Sequence, residues 1–172
     1  MRTILYFSFL LIFLLSSCVD QPPDEKHLDP QQQKEIVKTL ENIATDYLKS
    51  WEPPYDPDGA LSFFTQSDDF YLVSDGHETD EYADWAYLVP KWMAHDAREY
   101  QSYAHEIKNI ETVVLSPKSG VVTAVYIWDS ISKEGEHARI HGAITLTCRK
   151  ENGVWKIVHY HGSHYEPGGE SD

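Results

Sequence analysis

The chain has 172 residues, and its 14 lysines and arginines against 28 aspartates and glutamates give a net charge of −14. That length suits one domain with a single core. Such an acidic surface excludes nucleic acid and anionic lipid as partners, since both require a basic face.

Met1 and Arg2 form a positive n-region ahead of "ILYFSFLLIFLL", Ile4 to Leu15, an apolar run broken only by Ser8. It is short of the roughly 20 residues of a membrane span and has the length of a secretory h-region. The residues that follow, "LSSC" from Leu15 to Cys18, resemble the lipobox of bacterial lipoproteins, in which a branched apolar residue and two small residues precede a cysteine. The resemblance implies a lipoprotein signal peptide over 1–17, lipidation of Cys18, and a domain anchored to a membrane of the bacterial cell envelope. Acyl chains contribute about 0.8 kcal/mol per buried CH2, so multiple acylation at Cys18 holds a soluble domain firmly. Cys148 is then the remaining thiol of two, and no intramolecular disulfide forms.

Residues 18–29 are polar and proline-containing, without apolar period, as in a flexible tether. The fold is expected over 30–165, beginning where Asp29 caps a helix and Pro30 supplies its first residue. Ile36, Val37, Leu40, Ile43, Ala44, Tyr47, Leu48 and Trp51 then recur at helical spacing. "EPPYDPDG" ends that helix with three prolines and a glycine. A helical turn over "ALSFFT" and a strand over "DFYLVSDG" follow, the latter closing in an Asp75-Gly76 turn. Tyr82, Trp85, Ala86, Val89, Trp92 and Met93 mark a second long helix from Asp80 to Ala97, bent at Pro90.

From Tyr100 onward the pattern is of strands separated by "SPKSG", "KEGE" and "ENG", and residues 166–172 are expected to be a disordered tail. Helices followed by an antiparallel meander is an α+β order. A phosphate-binding glycine loop and a nucleophile elbow are both absent, and no cofactor or metal is assigned.

An Asn152-Gly153 turn of type I′ sets Glu151 against Val154, Cys148 against Ile157, Leu146 against His159 and Ile144 against His161. On that register His159 and His161 continue the buried apolar stripe, whereas His141 and His164 face outward. A pair at i, i+2 on one strand face can bind a metal, with His105 or Asp129 as a further ligand. Such a pair is more often hydrogen-bonded and structural, or supplies polar groups for ligand recognition and acid/base work.

The order helix, short helix, strand, helix and long meander, ending in "NGVWKIVHYHGS", resembles the SnoaL-like branch of the nuclear transport factor 2-like superfamily. Gly153, Trp155, Ile157, His159, His161 and Ser163 carry the match, which extends over about residues 31 to 165. The resemblance implies a cone-shaped half-barrel, N-terminal helices packed on a curved antiparallel sheet around a pocket, commonly as a homodimer. The superfamily holds cyclases, isomerases and dehydratases beside proteins that only bind a ligand, so fold does not settle function. The carboxylate base and oxyanion set of ketosteroid isomerase does not map onto this chain. Asp129 and Asp75 are the carboxylates placed near strand interiors or mouths, neither within a motif.

Pocket-lining candidates are therefore His159, His161, Tyr71, Trp85, Tyr103, His105, Trp128 and Asp129, around a small, largely apolar molecule. Either Tyr126 with Trp128, or Ile127 with Asp129, faces inward, depending on the length of the "KEGE" turn. The functional expectation is a ligand-binding cavity, with a cofactor-independent isomerase, cyclase or hydratase using a pocket histidine as the alternative.

Overall fold

The computed structural model describes residues 28–165; the expected signal peptide, Cys18, most of the tether and the C-terminal tail lie outside them. Three helices pack on one six-stranded sheet. Helix α1 runs Pro30–Ser50, α2 Pro57–Ser62 and α3 Tyr82–Glu99, and the strands are β1 Tyr71–Ser74, β2 His77–Thr79, β3 Tyr100–Ser116, β4 Ser119–Ser132, β5 His137–Glu151 and β6 Val154–Tyr165.

Asp29 caps α1 as its chemistry suggests, its Oδ1 accepting from the backbone N–H groups of Gln31 and Gln32 at 2.9 Å each. The helix buries Ile36, Leu40, Ala44, Tyr47 and Leu48 against the sheet. Asp56 caps α2 through the Gly59 N–H at 2.9 Å, so this helix begins three residues before the "ALSFFT" segment. Pro90 lies within α3 without ending it, and its exposed position leaves the buried stripe of Trp85, Val89 and Met93 undisturbed.

The strand order is β2-β1-β6-β5-β4-β3. The meander β3 to β6 is antiparallel as expected, but β1 pairs with β6 in parallel, so the sheet is mixed. A second difference is β2, which closes a hairpin on β1 through Asp75 at φ +49° and Gly76 at φ +81°. Both values are positive, as a type I′ turn requires. Register shifts at three places in β3 interrupt its pairing with β4, and bulges of this kind bend a strand. The sheet thus curves over the helices, and Leu40, Phe64, Leu72, Val122, Ile144, Leu146 and Ile157 form a closed core between them.

The last hairpin follows its expected register only near the turn. Glu151 opposes Val154 and Cys148 opposes Ile157, but Thr147 then opposes His159, so Val158 is an extra residue in β6. The bulge reverses every later side chain. Tyr160 turns inward and is buried against Tyr47, at 5.8 Å between ring centroids, while His159 and His161 turn outward opposite Thr147 and Thr145. Burying a phenol among aromatics gains more than burying two imidazoles without partners, which gives the shift its physical reason.

Candidate functional site

One end of the molecule encloses a cavity of about 350 Å³ between the helices and the concave face of the sheet. Its walls are aromatic. Tyr47 and Trp51 come from the C-terminal end of α1, Trp85 and Trp92 from α3, Tyr103 from β3, Tyr126 and Trp128 from β4, and Tyr160 from β6. The choice left open in β4 is decided by its pairing. Tyr126 and Trp128 alternate inward with buried Val122 and Ala124, and Asp129 points to the other face, paired with His137 and Arg139.

A hydrogen-bonded chain crosses the cavity mouth. Asp75 Oδ2 accepts from His164 Nδ1 at 2.8 Å, and Oδ1 accepts from the His164 backbone N–H, also at 2.8 Å. On the other side of the imidazole, Nε2 lies 2.9 Å from the Tyr126 hydroxyl. With Nδ1 donating to the carboxylate, the neutral ring presents a lone pair at Nε2, which the phenol fills by donating its proton. Burial works to raise the Asp75 carboxyl, but hydrogen bonds and charge from His164 outweigh it and hold the group below its ordinary value. Burial pushes the Tyr126 hydroxyl up, so it stays protonated.

Gly142 makes this chain possible. It pairs with Tyr126 on one side and His164 on the other, and a Cβ there would lie 2.4 Å from the Tyr126 ring. Without a side chain on β5, the phenol leans across the strand to the imidazole.

Other titratable side chains face the same space, His77 from β2 among them, and burial perturbs two of these, His105 and Asp96. His105 has a side chain only 5% exposed, and burial, aided by nearby His164, depresses it to about 4. It is neutral at physiological pH. Glu52 Oε1 accepts the His105 backbone N–H at 2.7 Å and lies 3.4 Å from Nδ1 without the alignment of a hydrogen bond. Asp96, on α3, has its carboxyl pushed up by burial, against an opposing charge effect from His95. The indole nitrogens of Trp85 and Trp128 are buried without hydrogen-bond partners.

Of the residues expected at the pocket, Trp85, Tyr103, His105 and Trp128 line the cavity. His159, His161, Tyr71 and Asp129 do not. The bulge at Val158 sends both histidines outward, where the His159 ring meets Tyr71 edge to face at 5.2 Å. Among the described residues no group of three histidine, cysteine or acidic side chains is close enough to hold a metal ion. His164, expected on the outer face, instead lines the cavity, and its partner Asp75 was legible as a turn residue and a carboxylate near a strand mouth, outside any motif. Counting in twos from Tyr160 leads to Gly162 and His164, but that count needs the bulge to be known. Among the described residues the thiol of Cys148 is fully buried and pushed up to about 12 by that burial, which makes it unreactive.

The SnoaL-like domain model matches residues 56–166. No curated protein matches the chain. Solved structures match in fold. A provisionally named scytalone dehydratase from Novosphingobium aromaticivorans is 15% identical over 83% of this chain and 99% of its own, with a TM-score of 0.66. A nuclear transport factor 2-like superfamily protein from Salmonella enterica is 16% identical over 81% and 99%, with a TM-score of 0.64. The type 3 LinA hexachlorocyclohexane dehydrochlorinase from Novosphingobium barchaimii is 14% identical over 83% and 97%, with a TM-score of 0.63.

The depressed His105 makes stability depend on pH. As pH falls, the unfolded chain takes up this proton near 6.5 and the folded protein only near 4, so stability is lost between about 6.5 and about 4. The expected loss is roughly 3 kcal/mol, at about 1.36 kcal/mol per pH unit. It is read as a falling Tm, and His105→Gln should flatten the profile; identical slopes in the two proteins would assign the acid sensitivity to other groups.

Proposed function

The chain belongs to the SnoaL-like domain family, and from that premise we propose that it binds a small, flat, largely apolar cyclic molecule and moves a proton on it without a cofactor. The Asp75–His164–Tyr126 chain at the mouth of an aromatic cavity carries this reading. His164 Nε2 accepts the substrate proton, directly or through the Tyr126 hydroxyl, which takes a proton from the substrate as it passes its own to the imidazole. Asp75 stabilises the imidazolium so formed and fixes the ring orientation. Neutral His105 adds no positive charge against that imidazolium. The unpartnered indole N–H groups of Trp85 and Trp128 favour a substrate with acceptor oxygens, because a buried donor left unbonded costs about 1–3 kcal/mol.

A suitable probe is 2-tetralone, a neutral bicyclic ketone with acidic C–H groups. The full-length protein should accelerate exchange of its α-hydrogens in D2O, followed by proton NMR. His164→Ala should abolish the acceleration, and Asp75→Asn should reduce it by about 10²–10⁴-fold, with little change in Tm for either. A second reading, binding without turnover, is favoured by Tyr126 occupying Nε2. Quenching of cavity tryptophan fluorescence by 2-tetralone, with exchange no faster than in buffer, would select it.

We propose in addition that Cys18 is lipidated and tethers the domain to a bacterial membrane, on the strength of "LSSC" after the apolar run. The native protein should fractionate with membranes and Cys18→Ala should not; a variant that stays with the membranes to the same extent would remove the anchor from that cysteine. Exposed Val113, Val125 and Ile131 on the outer face of the sheet support a homodimer. Sedimentation at micromolar concentration should give twice the chain mass, and a purely monomeric profile would dismiss the pairing.

A further inference from the structure

A second group of cavity residues, apart from the Tyr126 and Trp128 rings that His164 meets, has its own composition. Trp85, Trp92 and Asp96 lie seven and four residues apart on α3, and at 3.6 residues per turn they fall within about 20° of one line along the helix. Trp51, at the end of α1, completes a group of three indoles. Their ring centroids form a triangle with sides of 5.5, 6.1 and 6.5 Å, and all three side chains line the cavity. Trp85 and Trp92 meet edge to face at 80° and Trp51 is tilted by 45° and 41° to them, so a cation over the face of one indole, within about 6 Å of its centroid, is attracted by that ring.

The lysine, arginine and carboxylate charges in the lining have one sign, although His95 opposes Asp96 from its own helix and His77 also lines the cavity. No lysine or arginine is among the described residues that line the cavity, and both carboxylates in the lining come from aspartates. Asp75 commits both oxygens to His164. The Asp96 carboxyl makes no hydrogen bond among the described residues, its backbone carbonyl alone accepting from the Tyr100 N–H, although the residue is half-buried. It is surrounded instead by aromatic groups, with Tyr55, Tyr100 and Tyr103 close enough to feel its charge. A neutral ligand leaves this carboxyl uncompensated, and an anionic one opposes it.

We infer that the Trp51–Trp85–Trp92 group with Asp96 is a subsite for an organic cation, a quaternary ammonium or substituted amine, carried on the cyclic ligand whose other end reaches His164. This rests on the reading of the cavity as a ligand site and specifies which ligands it takes. The indole faces attract the cation without removing it fully from an apolar surrounding, and Asp96 supplies the single counter-charge. Large aromatic surfaces accept methyl groups on nitrogen more readily than a lysine-like ammonium, which needs hydrogen-bond acceptors on all its protons. The same arrangement rejects carboxylates and phosphates.

The test compares phenyltrimethylammonium with tert-butylbenzene, which has nearly the same shape and no charge, by tryptophan fluorescence titration of the full-length protein. The cation should bind at least about tenfold more tightly. Asp96→Asn should cut that preference to about threefold or less while leaving tert-butylbenzene affinity unchanged, which also shows that the variant is folded. Trp92→Ala, at a side chain 42% exposed, should weaken the cation more than the hydrocarbon. Equal affinities for the two probes, or a preference untouched by Asp96→Asn, would overturn the inference. If tert-butylbenzene binds and the cation does not, the cavity remains a ligand site without a cation subsite; if neither binds, both readings fall.

Discussion

Between Ile157 and His159 the last strand carries one residue more than the strand beside it, and each later side chain faces the opposite way from a regular ladder. Much of the site depends on that step. Inward go Tyr160, Gly162 and His164, and outward go His159 and His161. The same strand segment then pairs in parallel with β1, from Tyr71 against His159 to Ser74 against Gly162. That pairing brings the Asp75 turn beside His164, 89 residues further along the chain.

The site is built from contrasting environments. Asp75 is held ionised by the imidazole it bonds, whereas burial raises Asp96 on the facing helix. His105 is kept neutral by burial, while His164 lies at the mouth with both ring nitrogens engaged. Carboxyls and imidazoles of the same type thereby take different roles in one cavity, set by desolvation and partners and not by residue identity. The absent side chain of Gly142 is as much part of the arrangement as Asp75, His164 and Tyr126, since it lets a phenol on β4 reach an imidazole on β6 across β5.

The fold separates stability from function along the length of the cone. Leu40, Leu72, Val122, Ile144, Leu146 and Ile157 are almost wholly buried and close one end with aliphatic packing. Aromatic residues occupy the other end, where rings meet edge to face and leave a space between them. Rings suit both duties: they bury large apolar areas, and they offer faces and polar edges to a ligand.

Local chemistry in the sequence determined the elements. Asp29-Pro30 started α1, the apolar stripes marked α1 and α3, and Asn152-Gly153 made the last turn, because caps, helical period and positive φ depend on residues a few places apart. The tail motif also pointed to the family, and the aromatic and histidine candidates included Trp85, Tyr103, His105 and Trp128 among the cavity residues. What only the tertiary structure decided is where the ladder slips and which strands lie side by side. The Val158 bulge follows from the relative gain of burying Tyr160 or two histidines, and the β1–β6 pairing from closing the sheet around its core. Both are balances struck between segments far apart in sequence, so His164 and Asp75, unremarkable in their own neighbourhoods, become partners only after the chain has folded.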